Sequence, residues 1–218
     1  MHSVVPLKVH YYGTPVVLIS STNRDGTTNL APMSSAWWLG QDAMLGLAAS
    51  SRTTHNLLRT GEAVLNLASS DLVQHVDRLA LLTGSPELSP HKRQTGYRYE
   101  PRKFEAAGLT PAPSDLIAPD RVAECPIQLE CRVSGHYEIG HERTYAHAIH
   151  VHVLRAHVAD AVRLPGTDYV DPQAWDPLIM KFCDFFGGGQ PLVPSRLAAG
   201  WEMPGRVQAA AADLTPPR

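Results

Sequence analysis

Cysteine is scarce in this chain: Cys125, Cys131 and Cys183 are the whole complement, and none forms a CxxC pair. An odd, scattered set is no disulfide framework, and it suits a reducing cytoplasm. An excess of charge of one sign is missing too. Nineteen Lys and Arg stand against twenty-one Asp and Glu, a formal net charge of −2 at pH 7. Nucleic acid and anionic membrane both demand a clustered basic surface, so neither is expected as a partner. No run approaches the roughly eighteen apolar residues that a membrane-spanning helix needs. The opening "MHSVVPLKVHYYG" lacks the apolar core of a signal peptide, so a soluble cytoplasmic protein is expected. A strand-linked GxGxxG, the GK[ST] ending of a phosphate loop (absent from "FFGGGQP") and a GxSxG elbow are all missing. Their absence argues against a Rossmann domain, a P-loop and a hydrolase nucleophile.

What is present is a globular composition, 44% hydrophobic and 18% charged over 218 residues. That length suits one substantial domain, here residues 1–218, and buries roughly 70% or more of the extended surface without staples. "TPVVLIS" reads as a strand ended by Asp25-Gly26, a strong hairpin signal. "TTNLAPMSSAWW" continues as a second strand, in which Pro32 implies an edge or a bulge. "AMLGLAAS" and "AVLNLAS" are further strands. Between them "TTHNLLRTG" reads as a short helix capped by Thr53 or Thr54, with Leu57 and Leu58 inward and Gly61 stopping it. Asp71 to Leu82 has helical apolar spacing, and Asp71 with Gln74 resembles a capping box.

Residues 85–119 are rich in Pro, Ser and Gly and read as a long surface segment with one helical piece, "RKFEAAGL". Arg121 to Ile139 and Thr144 to Val162 read as long strands joined by "GHER", and residues 208–218 as a frayed tail. The fold expected from this pattern is mainly β, a closed or nearly closed β-barrel with a few short helices.

Two hydroxyl-rich runs carry the chemistry. "SSRTTHNLL" sets Ser50, Ser51, Arg52, Thr53 and Thr54 where a strand ends and a helix begins. Free N–H groups, the positive end of the helix dipole and a bidentate guanidinium converge there, a combination suited to phosphate. Ordinary N-capping uses one hydroxyl and accounts for only part of the set. In "NLAPMSS", Asn29 offers donor and acceptor, Pro32 interrupts pairing, and Ser34 and Ser35 add hydroxyls. A bulged edge strand is the plainer reading of that run taken alone. The histidines of "AHAIHVHVLRAHV" invite a metal reading, with His150 and His152 on one strand face and His147 and His157 on the other. No carboxylate or cysteine of suitable spacing accompanies them, so no metal site is expected and a polar barrel face or dimer surface is preferred. Cys125 and Cys131, six apart, are expected on one strand face as buried small residues. Trp37 and Trp38 face opposite ways, so only one can point at any site.

Taken together, "TPVVLISSTNRDGTTNLAPMSSAWWLG" and "AMLGLAASSRTTHNLLRTGEAVLNLAS" resemble the flavin reductase-like family of the FMN-binding split barrel. The resemblance resumes in "RKFEAAGLTPAPS" and "AECPIQLECRVSGHYEIG", so it covers most of residues 14–162. It implies an FMN-dependent, NAD(P)H-oxidising flavin reductase, commonly homodimeric, that serves in some cases a partner monooxygenase. It also implies that Asn29, Leu30, Ala31, Pro32 and Ser34 line the flavin ring. Ser50, Ser51, Arg52, Thr53, Thr54 and Asn56 would hold the phosphate and ribityl chain, and Asn66 would support that loop. The family's "GDH" turn corresponds here to "IGHERTY", which makes His141 a substrate-side candidate offset from the pattern. The alternative reading is a non-enzymatic flavin- or haem-binding redox module.

Overall fold

The structure is a computed structural model describing residues 2–140, 144–193 and 195. Five strands follow in quick succession: β1 (Tyr12–Pro15), β2 (Val17–Thr22), β3 (Thr28–Met33), β4 (Ala36–Leu39) and β5 (Asp42–Ala48). The β2–β3 turn uses Gly26 at a φ of 85°, a left-handed conformation that glycine adopts without a Cβ clash. Helix α1 (Arg52–Thr60) and β6 (Glu62–Leu67) come next, then α2 (Val73–Leu79), β7 (Leu82–Thr83), α3 (Pro90–Gln94) and β8 (Arg98–Tyr99). The chain continues through α4 (Lys103–Ala107), β9 (Pro111–Ala112), β10 (Arg121–Val122), β11 (Ile127–Ile139), β12 (Ala146–Val158), β13 (Ile179–Lys181) and β14 (Asp184–Phe186). None of the described helices is long and apolar enough to cross a membrane.

Seven strands form the main sheet in the order β3-β2-β6-β11-β12-β5-β4. Its two edge strands are consecutive in the chain, joined only by Ser34 and Ser35. Such a link spans no more than about 11 Å. The sheet therefore curls until its ends nearly meet. Among the described residues no ladder pairs β3 with β4, so the expected barrel does not close. Pro32 sits on the edge strand β3 opposite Leu18, where its missing N–H costs no central ladder bond.

Curling divides the apolar residues between two cores. Val17, Ile19, Leu45, Leu47, Leu57, Leu65, Ile149 and Val151 fill the concave side. Val16, Leu18, Leu30, Val76, Leu79, Ala107, Leu109 and Leu178 pack on the other, beneath α2 and α4. The alternation of Val17 and Ile19 with Leu18 puts β2 into both. At about 25 cal/mol per Å² of apolar area buried, these two clusters dominate the favourable side of folding.

Several local expectations need correction. The α1 cap is Ser51, whose Oγ accepts from the Thr54 N–H at 3.0 Å; neither Thr53 nor Thr54 caps the helix. Leu57 is buried but Leu58 is 39% exposed, because nine residues of helix turn only one stripe inward. Gly61 does end the helix, in the left-handed conformation with its N–H on the Leu57 carbonyl. The Asp71–Gln74 capping box does not form: Ser70–Leu72 is a 3-10 turn, and α2 begins at Val73 without a side-chain cap. The late strands are shorter than expected, since Pro126 separates β10 from β11 and Val162 lies in a second 3-10 turn. Cys125 therefore precedes the strand and joins one core while Cys131 joins the other. Burial pushes both thiols up, that of Cys131 to about 12. Residues 85–119 are not merely a surface segment, because Ala107, Leu109 and Ile117 are buried within it. The expected tail at 208–218 lies outside the described residues.

Candidate functional site

The two hydroxyl-rich runs come together. Edge strand β3 and the start of α1 form facing walls of a cleft of about 200 Å³, with Ala31, Pro32 and Met33 on one side and Ser51, Arg52 and Thr53 on the other. Two further clefts adjoin it, one past Pro32 and Met33 and the other past Arg52 and Gly84. One, of about 310 Å³, is mainly apolar and takes Tyr11, Pro32, Met33, Ser34, Met180 and Phe185 into its lining. The other, of about 250 Å³, is polar and shares Arg52 and Gly84 with the central cleft. Pro32 and Met33 are shared at the apolar end, so the three form one groove, apolar at one end and polar at the other.

Positive charge concentrates in its middle. Arg52, Lys92 and Lys103 line the central cleft, and among the described residues no carboxylate does. Arg52 is fixed by its Nε donating to the Gly84 carbonyl at 3.1 Å, which leaves the rest of the guanidinium fork for a ligand. The N–H groups of Arg52 and Thr53 in the first turn of α1 have no acceptor within the helix. Sequence reasoning missed both lysines, Lys92 and, of more consequence, Lys103. Lys103 is 3% exposed, and its ammonium donates to the Leu30 carbonyl at 2.9 Å. Burial, and then the nearby Lys92 charge, bring its pKa down to about 8. No described acid forms an ion pair with it. The lysine falls inside "RKFEAAGL", which the sequence marks only as one helical piece; nothing local signalled that the helix's first residue turns inward.

The remaining sequence-predicted residues divide by role. Ala31, Pro32, Ser51, Arg52 and Thr53 line the central cleft, Ser34 the apolar one and Asn29 the polar one. Leu30 contributes its carbonyl, through Lys103. Ser50 is exposed and lines none of the three. Thr54 and Asn56 are turned to scaffold work: Thr54 Oγ1 donates to the Ala48 carbonyl at 2.8 Å, and Asn56 Nδ2 donates to Ser21 Oγ and Asn23 Oδ1. Asn66 also lies away from the groove. Its amide donates to the Leu18 carbonyl and Ser20 Oγ, and its Oδ1 accepts from the Val122 N–H at 2.8 Å. His141 is outside the described residues. Asn29 binds the two walls together, its Nδ2 donating to Thr53 Oγ1 at 3.2 Å and to Ser21 Oγ at 3.3 Å.

Gly84 is required by closeness rather than by backbone angle. A Cβ there would lie 2.5 Å from Asn29 Oδ1 and 3.0 Å from Arg52 Cγ. Gly84→Ala is expected to lower stability by about 1–3 kcal/mol through overpacking, read by urea unfolding. An unchanged midpoint would mean that the wall yields freely.

No described histidine lines these clefts, and carboxylates from other strands accompany the late ones, contrary to the sequence expectation. Asp42 accepts from His150 at 2.7 Å and His152 at 3.2 Å, while Glu130 pairs with His157 at 2.6 Å. A bulge at Leu154 shifts the register, which moves His157 onto the face of His150 and His152 and away from that of His147. Asp115, Glu130 and His157 bring their ligand atoms within 4.8 Å of one another, but Arg155 already neutralises Asp115 at 2.6 Å. Trp37 is 58% exposed and Trp38 packs on the concave core, so neither faces the groove.

The sequence model described as "Flavin reductase like domain" matches residues 9–170. The uncharacterized protein YdfE of Bacillus subtilis (strain 168) is 38% identical over 183 residues, 84% of this chain and 87% of that protein. Flavoredoxin of Desulfovibrio vulgaris (Miyazaki F) shares the fold with a TM-score of 0.73 at 20% identity, over 92% of this chain and 100% of that one. Nitrilotriacetate monooxygenase component B from Bacillus cereus gives 0.70 at 20% identity, over 88% and 98%.

Proposed function

This chain belongs to the flavin reductase-like domain family, and we propose that it is an FMN-binding oxidoreductase of the split-barrel type that takes hydride from NAD(P)H. The observation that carries the reading is the central cleft, where the start of α1, Arg52, Lys92 and a buried Lys103 with no acid partner among the described residues face β3. A buried ammonium with no carboxylate calls for an anion from outside the chain. Flavin, when bound, supplies the hydride-accepting chemistry, and the protein supplies position and electrostatics. In this reading Arg52, Lys103 and the first-turn N–H groups hold the phosphate, while Ala31 to Ser34 and the apolar cleft receive the ring. No acid or base among the side chains is needed, so no catalytic residue is assigned. Among the described residues no separate fold is present for a nicotinamide donor, which in this reading docks against the flavin face.

A homodimer is part of the proposal, supported by Trp37 at 58%, Leu39 at 71%, Tyr137 at 68% and Tyr145 at 64% exposure. The name of one structural neighbour, a monooxygenase component, supports a partner monooxygenase as electron acceptor.

An absorption spectrum followed by anaerobic addition of NADH or NADPH tests the reading. A two-banded flavin spectrum that bleaches is the expected result. A flavin band that persists would favour the non-enzymatic carrier, and failure to bind added flavin would sink both. Arg52→Ala is expected to weaken flavin binding by about 1–3 kcal/mol, the loss of a charge-assisted contact. Unchanged affinity would remove Arg52 from the site.

A further inference from the structure

The histidines of β12 lie apart from the groove, and the fold gives two of them a carboxylate that sequence spacing did not show. We propose that Asp42, His150 and His152 form a binding site for a divalent transition metal, zinc or its chemical neighbours. The proposal does not depend on the flavin reading.

Register places the ligands. His150 and His152 occupy alternate positions of β12 and so share one face of the sheet. Strand β5 runs antiparallel beside them, with Met44 opposite His150 and Asp42 opposite His152. Both imidazoles reach one atom: Asp42 Oδ1 lies 2.7 Å from His150 Nε2 and 3.2 Å from His152 Nδ1. Two ring nitrogens and a carboxylate are a ligand set that zinc accepts, with water completing the tetrahedron. Coordination requires about 2.0–2.2 Å between each ligand atom and the ion, so the three groups must draw together. The side chains of His150, His152 and Asp42 are 40%, 49% and 45% exposed, and they can close by rotation without displacing a packed neighbour.

Charge and space both favour a cation at this point. No described lysine or arginine pairs with Asp42, whereas Arg155 occupies Asp115 in the cluster with Glu130 and His157. Arg132 stands opposite His152 on β11 but turns to Glu62 of β6, on the far side, at 3.9 Å. Asp42 Oδ2 makes no described hydrogen bond, so the carboxylate keeps an oxygen for a metal. Opposite His150, β11 presents Gly135, where a Cβ would meet nothing within 4 Å, and the space beside the imidazole is open. The ion clasps β5 to β12 next to the β4–β5 turn, so zinc should stabilise the fold.

Titration of tag-free protein with zinc chloride, followed by calorimetry and by thermal unfolding, tests the site. One zinc per chain is expected with a micromolar dissociation constant. A hundredfold excess over that constant should raise the melting temperature by about 5–10 °C. His152→Ala should weaken zinc binding at least tenfold, no less than loss of an outer-shell partner does at metal sites generally. His150→Gln should do the same and serves as the second variant if the first folds poorly, while Asp115→Asn should leave zinc binding intact. Absence of saturable binding below millimolar zinc overturns the proposal. So does binding that both histidine variants leave unchanged, or binding that Asp115→Asn abolishes.

Discussion

Lys103→Met is expected to leave the stability of the flavin-free protein nearly unchanged while weakening flavin binding by roughly 1.5–3 kcal/mol, about tenfold to more than a hundredfold. Two opposing effects set the stability side. Removing the ammonium relieves the burial of a charge that no described acid offsets, yet it strands the Leu30 carbonyl on edge strand β3. A buried carbonyl without a donor costs about 1–3 kcal/mol. A pKa held down at about 8 by burial and by Lys92 corresponds to a penalty on the order of 3 kcal/mol at neutral pH. The two nearly cancel. Calorimetry of the flavin-free pair, with flavin titrations beside it, checks both halves. A loss of several kcal/mol in stability, or unchanged flavin affinity, would make Lys103 a structural strut.

The same lysine gives a pH signature. Its folded pKa lies below the ordinary value of 10.5, so between about 8 and 10.5 the unfolded chain binds more protons than the folded one. Stability of the flavin-free protein therefore rises with pH across that window. An anion bound beside the ammonium favours its charged form, so flavin binding takes up a proton there and affinity falls as pH climbs above about 8. Lys103→Met should flatten both dependences.

Short-range chemistry made much of this legible in advance. The Asp25-Gly26 hairpin, Pro32 on an edge and Gly61 at a helix end each depend on backbone preferences carried by one or two residues. The pairing of the "NLAPMSS" and "SSRTTHN" runs came through resemblance, and the central cleft unites their middles. What stayed hidden depends on residues distant in sequence. Lys103 reaches Leu30 across 73 positions, Asp42 meets His150 across 108, and a single bulged residue, Leu154, moved His157 to the other face. Spacing rules assume an unbroken period and cannot see either effect. Polarity alone does not sort the run: Thr54, read from its hydroxyl, and Asn56, carried over by resemblance, are as polar as Ser51 and Thr53, but the helix turns them to the scaffold.

Glu130 is where a single substitution should unfold the most structure. Its side chain is wholly buried on the outer face of β11 and accepts three hydrogen bonds: the Asp115 N–H at 2.9 Å, the Leu116 N–H at 2.7 Å and His157 Nε2 at 2.6 Å. Burial alone would raise its pKa, but the Asp115 N–H, the His157 ring and the Leu116 N–H together outweigh burial and hold the carboxyl below the usual range. Glu130→Ala leaves two backbone donors and an imidazole without an acceptor, an expected loss of about 3–5 kcal/mol. Glu130→Gln keeps the shape but turns an amide NH₂ toward one of those donors, an expected loss of about 1–3 kcal/mol. Urea unfolding of the three proteins gives the order directly, and a Glu130→Ala cost below that of Glu130→Gln would contradict the clamp. The sign with pH follows from the lowered value: the contribution is complete above the ordinary glutamate pKa of about 4.3 and disappears as pH falls through the folded one. Wild type should therefore lose stability on acidification faster than Glu130→Gln. The clamp fixes residues 115 and 116, at the end of the segment that carries Tyr99 and Lys103. Loosening it should weaken flavin binding as well, by less than Lys103→Met does, because the charges in the cleft remain.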